Sequence, residues 1–457
     1  MVSAHSLSGF NRIHMVGAGG AGMSGLAKLL AGLGYQVTGS DLKPGRALDA
    51  LGDIGIETWI GHRPERMTEP ELVVASSAVP PGDSELVAAE RAGAVVWQRP
   101  ALLDAFTDIM PGLGITGTHG KTTTTGLVVA AMQGLDLDPS FLVGGELVAQ
   151  NTFAHLGDRN LFVLEADEAF GTFRHLHMRG LVVTNIEADH LDYYQTVAAL
   201  EEAFALVANR TVGPVLGCID DPGVQRLAQR ADIITYGVDP DADWRLSDFA
   251  HGIGSISFRL HRGDTATDVH VPRPGIHVAL NAAGAIAFLA ELGYDPQGAA
   301  AGIAEFAGVR RRFETRARIS GVTVVDDYAH HPTEVAATIG AGRLGGWDRV
   351  WAVFQPHRYT RTANLGPAFG APLAEADKVI VTDVYSAGEA PQPGVTGRLV
   401  AESVTAAGGD VRYVPSIREV ADLIVPELQE GDVVLLLGAG DVNSIADEIA
   451  GALVDKP

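Results

Sequence analysis

The sequence contains a single cysteine, Cys218, so no disulfide can form within the chain. No apolar run reaches the length of a membrane span. The opening stretch, Met1 to Asn11, has no hydrophobic core of the kind a secretion signal carries. Basic residues are scarce: 33 Lys and Arg stand against 56 Asp and Glu, a net charge of −23. That balance excludes nucleic acid or a membrane surface as a partner held by bulk electrostatics, but leaves room for a local cationic pocket. The histidines lack the H-E-x-x-H or C-x-x-C spacing of zinc sites. No Ser-His-Asp or Cys-His nucleophile arrangement stands out, and there are no heptads, sequence repeats or low-complexity tracts. What remains is the expectation of a soluble cytoplasmic protein. Its 457 residues, 46% hydrophobic, suffice for about three globular domains at roughly 150 residues each.

Against these absences stands one dense stretch, Gly114-Ile-Thr-Gly-Thr-His-Gly-Lys-Thr-Thr-Thr-Thr125. An apolar run, Leu113 to Ile115, feeds a small polar turn, and the turn feeds a helical run, Gly126 to Met132. Strand, Gly-rich turn and helix in that order aim backbone N–H groups and a positive helix end at one point, which suits a phosphate. Lys121 adds a mobile cation, and the Thr122 hydroxyl suits Mg2+. The spacing Gly117-x-x-Gly120-Lys121-Thr122 is shorter than the regular G-x-x-x-x-G-K-[ST]. A tight turn with a solvated lysine is the plainer alternative.

Upstream, the strand Ile13 to Val16 runs into Gly17-Ala-Gly-Gly-Ala-Gly22, a helix to about Leu33, and a second strand, Gln36 to Ser40. Asp41 follows 41 − 22 = 19 positions after the last glycine. This is the context of a dinucleotide-binding turn: the glycines let N–H groups approach a diphosphate, and Asp41 suits a ribose hydroxyl. NAD fits, and so does a UDP-sugar. Apolar runs at Leu72 to Ala75 and Ala94 to Trp97 continue this α/β domain, and Arg99-Pro100 reads as the start of a link.

A second domain begins near Phe106. Its strand Asn160 to Leu164 ends on Glu165-Ala-Asp-Glu168, and Leu181 to Thr184 ends on Asn185-Ile-Glu-Ala-Asp-His190. Groups just past parallel strand ends sit where open sheets place ligands, so Glu165 and His190 can meet a cation near Lys121. Asp167, Glu168, Glu187 and Asp189 read as solvated loop charge. Ser255 to Leu260 and Thr267 to Val271 form a hairpin. A helix from Gly275 to about Leu292 carries His277 and Asn281 four apart; an Asn amide can read an adenine edge, or simply pack. Arg310-Arg-Arg312 suits a hinge or a phosphate clamp. From Glu314 a third α/β domain follows, with strands Val322 to Val325, Val350 to Phe354, Lys378 to Thr382 and Val433 to Leu437. Their ends carry polar clusters, and Gly438-Ala-Gly440 reads as an anion turn or a plain one.

Several blocks, in this order, together resemble the Mur ligases over essentially the whole chain. They are Val16 to Asp41, Gly117-Thr-His-Gly-Lys-Thr-Thr-Thr124, Thr184-Asn-Ile-Glu-Ala-Asp-His-Leu-Asp192, Arg311-Arg-Phe313, Asp326-Asp-Tyr-Ala-His-His-Pro-Thr-Glu-Val335, Phe354-Gln-Pro-His-Arg-Tyr-Thr-Arg361 and Asp383-Val-Tyr-Ser-Ala-Gly-Glu-Ala-Pro391. The resemblance implies an α/β protein of three domains: a Rossmann-like UDP-sugar-binding domain (1–105), a central P-loop ATPase domain with a mostly parallel sheet (106–313), and a Rossmann-like C-terminal domain (314–457) that takes the amino acid and closes over the site. It implies an ATP-dependent amide bond in peptidoglycan precursor synthesis, with UDP-N-acetylmuramate, L-alanine and ATP as substrates, Mg2+ or Mn2+ as the metal, and a monomer or weak homodimer.

Residue by residue, the resemblance gives Lys121 the β/γ-phosphates within an ATP turn formed by Gly117, Thr118, His119, Gly120, Thr122 and Thr123. Thr122 and Glu165 would hold one metal ion and His190 a second. Asn281 would read the adenine, while Arg311 and Asp327 would hold nucleotide groups. His330, Arg358 and Arg361 would face the acyl carboxylate and the amino acid. Gly17, Gly19, Gly20, Gly22 and Asp41 would hold the uridine diphosphate, which displaces the NAD reading. After Glu168 the family usually continues Ser-Asp, whereas this chain has Ala169-Phe170. Phe170 is expected to pack against the sheet and leave ordinary alanine ligation. The helix Leu200 to Asn209 has no lysine, so no carbamylated lysine is expected.

Overall fold

The computed structural model describes residues 5–454; the first four residues of the opening stretch lie outside it. Among the described residues the strands form three sheets. The first is built from β1 (Arg12–Val16), β2 (Gln36–Asp41), β3 (Glu57–Ile60), β4 (Leu72–Ala75) and β5 (Val95–Gln98), ordered β3-β2-β1-β4-β5. All its ladders are parallel. Strand order reverses beside β1, and a crevice opens at such a switch point, past the carboxyl ends of the strands. β1 is buried along nearly its whole length, and the Gly-rich turn after it leads into the helix Ala21–Gly32.

The second sheet is built from β6 (Gly112–Thr116), β7 (Pro139–Leu147), β8 (Thr152–His155), β9 (Asp158–Glu165), β10 (Met178–Val183), β11 (Val215–Cys218) and β12 (Ile234–Gly237), ordered β12-β11-β10-β6-β9-β7-β8. It continues from β12 into β13 (Trp244–Gly252), β14 (Ser255–Arg262) and β15 (Thr265–Val271), the last two matching the expected hairpin. β6 is buried at every position and pairs in parallel with β9 on one side and β10 on the other. It is again a switch point, so whatever follows β6, β9 and β10 shares one rim. The helix of the first sheet reaches this second layer, with Gly25 against Leu142 of β7 and Lys28 Nζ donating to Thr152 Oγ1 at 3.3 Å.

The third sheet holds β16 (Glu314–Ile319), β17 (Val322–Asp327), β18 (Arg349–Phe354), β19 (Lys378–Val381), β20 (Val411–Tyr413) and β21 (Asp432–Leu437), ordered β16-β17-β21-β18-β19-β20. β16 runs antiparallel at one edge and the other ladders are parallel. By contact density the chain divides into two compact units. One holds Met1–Leu246, Leu260–Thr267 and Asn281–Ile303; the other holds Ser247–Arg259, Asp268–Leu280 and Ala304–Pro457.

The link expected from Arg99-Pro100 to the central strand is the helix Arg99–Ile109, which leads to β6 and has the proline in its first turn where its missing N–H costs nothing. Phe106 is fully buried inside that helix. The short edge strands β16 and β20 escaped the pattern reading because their side chains are only half buried, which blurs the alternation. No helix among the described residues is long and apolar enough to cross a membrane.

Candidate active site

The turn after β6 is held from the β10 side. Gly117 and Gly120 take left-handed φ values of +129° and +82°, and Gly120 caps the helix Lys121–Gly134 with no side-chain hydrogen bond. The Thr118 N–H donates to the Asn185 carbonyl at 3.1 Å, and the His119 N–H donates to Asn185 Oδ1 at 2.8 Å. Thr184 Oγ1 donates to the His119 carbonyl at 2.6 Å. The turn is therefore preorganised by the strand end beside it. Thr123 is half buried on the following helix, and Thr122 is buried. Asn281 is buried too, its Oδ1 3.0 Å from where a Gly120 Cβ would stand.

Lys121 Nζ donates to the Gly117 carbonyl at 2.7 Å and contacts both carboxylate oxygens of Glu168 at 3.0 and 2.8 Å, with Asp167 at 3.6 Å. Burial alone would lower the ammonium's pKa, but Glu168, Asp167 and Glu165 outweigh it and hold it above its ordinary value. Burial in turn raises the Glu168 carboxyl, which Lys121 only partly offsets. His190, at a left-handed φ of +53°, brings Nε2 to 3.7 Å from Glu168. Glu165 closes β9 and accepts the Gly144 N–H at 2.7 Å. A Cβ at Gly144 would stand within 2.8 Å of both Glu165 oxygens. Thus Lys121, Thr122, Glu165 and His190 lie along one rim of strand ends, with Asn281 beside the Gly120 turn.

Glu168 is the residue the sequence reading undervalued: it is 1% exposed, not a solvated loop charge. The signal available was its place three residues after Glu165 in the same strand-end loop. Phe170 departs in the other direction. Expected to pack on the sheet, it is 67% exposed at a left-handed φ of +53°, its ring edge-on to Tyr193 at 6.0 Å. The chain reverses at Phe170 and Gly171 just after Glu168 turns inward to Lys121, and that reversal throws the ring outward.

In the first sheet, the Gly17 and Ala18 N–H groups donate to the Ser40 carbonyl, and the Gly19 N–H donates to Asp41 Oδ2 at 2.9 Å. Gly20 caps the following helix without a side-chain bond, and Gly22 lies in its first turn. Asp41 therefore braces the turn itself. Glu85, unremarked in the sequence, is fully buried and joins three strands. It accepts from Ser40 Oγ at 2.5 Å, Trp59 Nε1 at 3.0 Å and the Arg63 N–H at 2.8 Å, with His14 Nε2 at 3.4 Å. Burial raises its carboxyl, yet the bonds from His14, Ser40 and Arg63 win and bring it down to about 2.

In the third sheet, Asp327 at the end of β17 accepts the Phe313 and Ala329 N–H groups at 2.7 and 2.8 Å, and burial pushes its carboxyl up to about 6. Arg311 donates to the Gly438 and Gly440 carbonyls at 2.7 and 3.1 Å and stacks over Tyr328. The Gly438 turn thus offers carbonyls to the Arg311 guanidinium, and its Gly438 N–H is spent on the Asp327 carbonyl. Asp326, part of a sequence block but assigned no role there, is fully buried behind Arg311 at 3.6 Å, and burial raises it to about 6. His330 Nδ1 donates to the Tyr328 carbonyl at 2.9 Å, leaving Nε2 as an acceptor. Burial lowers the His330 pKa, and the Arg361 charge lowers it further. Arg358, at a φ of +70°, donates to Glu389 at 2.6 Å. His330, Arg358 and Arg361 all bear on His357, whose pKa burial first and then these charges bring down to about 4.

Sequence comparison covers all three parts. Residues 12–108 match the Mur ligase family catalytic domain, 115–289 the Mur ligase middle domain, and 311–440 the Mur ligase glutamate ligase domain. A UDP-N-acetylmuramate–L-alanine ligase of Cutibacterium acnes is 42% identical over 453 residues, 97% of this chain and 96% of the relative. One from Mycolicibacterium gilvum is 43% identical over 456 residues, 96% and 95% of the two chains. The crystal structure of UDP-N-acetylmuramate-alanine ligase from Thermotoga maritima superposes with a TM-score of 0.83 at 26% identity, covering 97% of this chain and 99% of that one. MurF ligase from Thermotoga maritima, solved in complex with ADP, shares the fold at a TM-score of 0.62 and 16% identity, covering 92% and 95%.

Proposed function

Because this chain belongs to the Mur ligase family, we propose that it is an ATP-dependent ligase joining L-alanine to UDP-N-acetylmuramate in cytoplasmic peptidoglycan precursor synthesis. The observation that carries the chemistry is the seat of Lys121: a cation at a preorganised helix N-terminus after β6, faced by the carboxylates Glu165, Asp167 and Glu168 at the end of the adjacent parallel strand β9. A phosphoryl group held there has its charge met by fixed donors, which is the larger part of phosphoryl-transfer catalysis.

In this reading the muramyl carboxylate oxygen attacks the γ-phosphorus of ATP. The bond to the β,γ-bridging oxygen breaks, ADP leaves, and an acyl phosphate remains. The alanine amine then attacks the acyl carbon, loses a proton, and expels inorganic phosphate. Lys121 neutralises the transferring phosphoryl group, and the N–H groups of Gly120 to Thr123 orient the triphosphate, in a turn that Gly117, Thr118 and His119 shape through Asn185. Asn281 sits beside that turn to meet the adenine. Arg311 and Asp327 hold nucleotide groups, while His330, Arg358 and Arg361 orient the acyl carboxylate and the amino acid. The Gly17, Gly19, Gly20 and Gly22 turn, braced by Asp41, holds the uridine diphosphate.

The donor set near Lys121 fits a hard divalent ion: a carboxylate at Glu165, a hydroxyl at Thr122 and an imidazole at His190, with no side chain at Gly144 to crowd the Glu165 oxygens. Mg2+ or Mn2+ held there would offset phosphate charge. The working division is 1–105 for the UDP-sugar, 106–313 for ATP and 314–457 for the amino acid, in a monomer or weak dimer.

Phosphate release from ATP tests the reading. It is expected only when UDP-N-acetylmuramate and an amino acid are both present, with L-alanine preferred over glycine and L-serine. Lys121→Ala is expected to lower turnover by at least about 100-fold with the fold retained. Release without the sugar nucleotide, or near-normal turnover in the variant, would overturn it.

A further inference from the structure

The Gly17–Gly22 turn meets a side chain from each of three neighbouring strand ends: Ser76 faces Gly17, Asp41 faces Gly19 and Arg99 faces Gly22. The Asp41 contact is closed, because its carboxylate takes the Gly19 N–H. The Arg99 contact is not. A Cβ on Gly22 would stand 2.8 Å from Cζ and Nη2 of Arg99 and 3.1 Å from its Nε. The guanidinium therefore lies directly on the first turn of the helix Ala21–Gly32, and glycine is the residue that admits it. Its Nε is buried without a hydrogen-bond acceptor, and no ion pair among the described residues engages Arg99. In a chain with 56 acidic residues, a half-buried arginine without a carboxylate partner is conspicuous. Gly20 caps the same helix with no side-chain acceptor for the leading N–H groups. A fork of N–H donors and a positive helix end thus face one space.

We propose that Arg99 is a phosphate-binding residue, its guanidinium holding an oxygen of the substrate's diphosphate while the helix N–H groups hold the same group from the other side. This rests on the reading that the turn takes a UDP-sugar. Arginine suits the task because its planar fork bonds two phosphate oxygens at once, which lysine cannot do. Arg99 opens the helix Arg99–Ile109, directly after β5, so its backbone is fixed by that strand end.

The test is calorimetric titration of the full-length protein, Arg99→Ala and Arg99→Lys with UDP-N-acetylmuramate, UDP and uridine, the last by competition. Arg99→Ala is expected to weaken both diphosphates by about 10- to 100-fold and leave uridine unchanged, since bonds to charged groups are worth about 1.5–3 kcal/mol. Arg99→Lys is expected to fall between, and it carries the test if the alanine variant does not fold. Unchanged UDP affinity would overturn the proposal. So would equal weakening of all three ligands with a lowered melting temperature, which would make Arg99 a plug for the space beside Gly22. If the wild type binds neither diphosphate, the functional reading of the turn falls, and Arg99's role falls with it.

Discussion

Replacing Glu168 by glutamine removes a charge and almost no volume, so it isolates the ion pair that holds Lys121. Two unit charges 2.8 Å apart attract by roughly 6 kcal/mol at an effective dielectric near 20. Desolvation of both groups returns much of that, and breaking a buried pair by removing one partner costs about 3–5 kcal/mol. Here the Gly117 carbonyl and Asp167 still face the ammonium in the variant. We therefore place the loss somewhat lower, at about 2–3 kcal/mol, or a melting point lowered by roughly 4–12 °C.

A bound triphosphate changes the balance, because it supplies Lys121 with another anion. The deficit should then shrink to within a few degrees when a non-hydrolysable ATP analogue and Mg2+ saturate the protein. By linkage, the analogue should bind Glu168→Gln tighter than wild type by about 30- to 150-fold. Scanning calorimetry with and without the analogue, together with a direct titration, reads both numbers. An equal deficit in the two states would mean that phosphate does not compete with Glu168 for the lysine. No deficit in the free protein would mean that the buried pair contributes nothing.

Activity should require Mg2+ or Mn2+ and survive zinc chelators, with His190→Ala raising the metal concentration needed; an unchanged metal titration would return His190 to a structural role. Asp326 faces Arg311, Arg316, Asp327 and Glu314, and with burial these leave its carboxyl near 6 in the folded state. The unfolded chain releases that proton first, so folding stability should fall as pH rises from about 4 to about 6, by on the order of 1–3 kcal/mol. Asp326→Asn should reduce that slope in melts across the range and leave the part that Asp327, also raised to about 6, contributes; equal slopes in both proteins would refute the assignment. Because Phe170 is exposed, Ala169→Ser with Phe170→Asp should shift stability by only about 0.5 kcal/mol. It should also keep L-alanine ahead of glycine and L-serine in phosphate release; a reversed ranking would show that the pair sets amino-acid choice.

The phosphate turn was legible because its determinants are local. Gly117, Gly120, Lys121 and Thr122 lie within six residues, and glycine at those positions reports a backbone that other residues resist. The parallel sheets were legible because β1, β6, β17 and β21 are buried on both faces and each carries a mainly apolar run with few polar interruptions. Glu168, Glu85 and Asp326 were not, since an acidic residue is ordinary in sequence until its burial is known. The helical form of the link at Arg99-Pro100 was not legible because proline signals a break and a helix start equally well, and only the following contacts decide between them. Phe170 shows the limit of residue-type expectation: an aromatic ring prefers burial, but the backbone reversal beside Glu168 dictates where it points.

The residues hidden from sequence share one physical role. Glu85 ties β1, β2 and β3 beneath the first turn, Glu168 fixes Lys121 at the second, and Asp326 stands behind Arg311 in the third sheet. Each is a buried carboxylate placed behind the groups proposed to meet ligand. A buried carboxylate is expensive unless its donors are fixed, so Glu85 and Glu168 commit their donors to a single arrangement, while Asp326 faces Arg311 across 3.6 Å and holds its proton up to about pH 6. That rigidity suits transfer of a phosphoryl group, where donors already in place cost nothing to reorganise as charge moves. It also explains why these acids are scattered along the chain. Each must reach a strand-end turn from whichever element crosses behind it, here a helix N-terminus, a loop after β9 and the end of β17. Spacing in sequence therefore marks the groups proposed to touch ligand, while the groups that hold them still are set by tertiary contact.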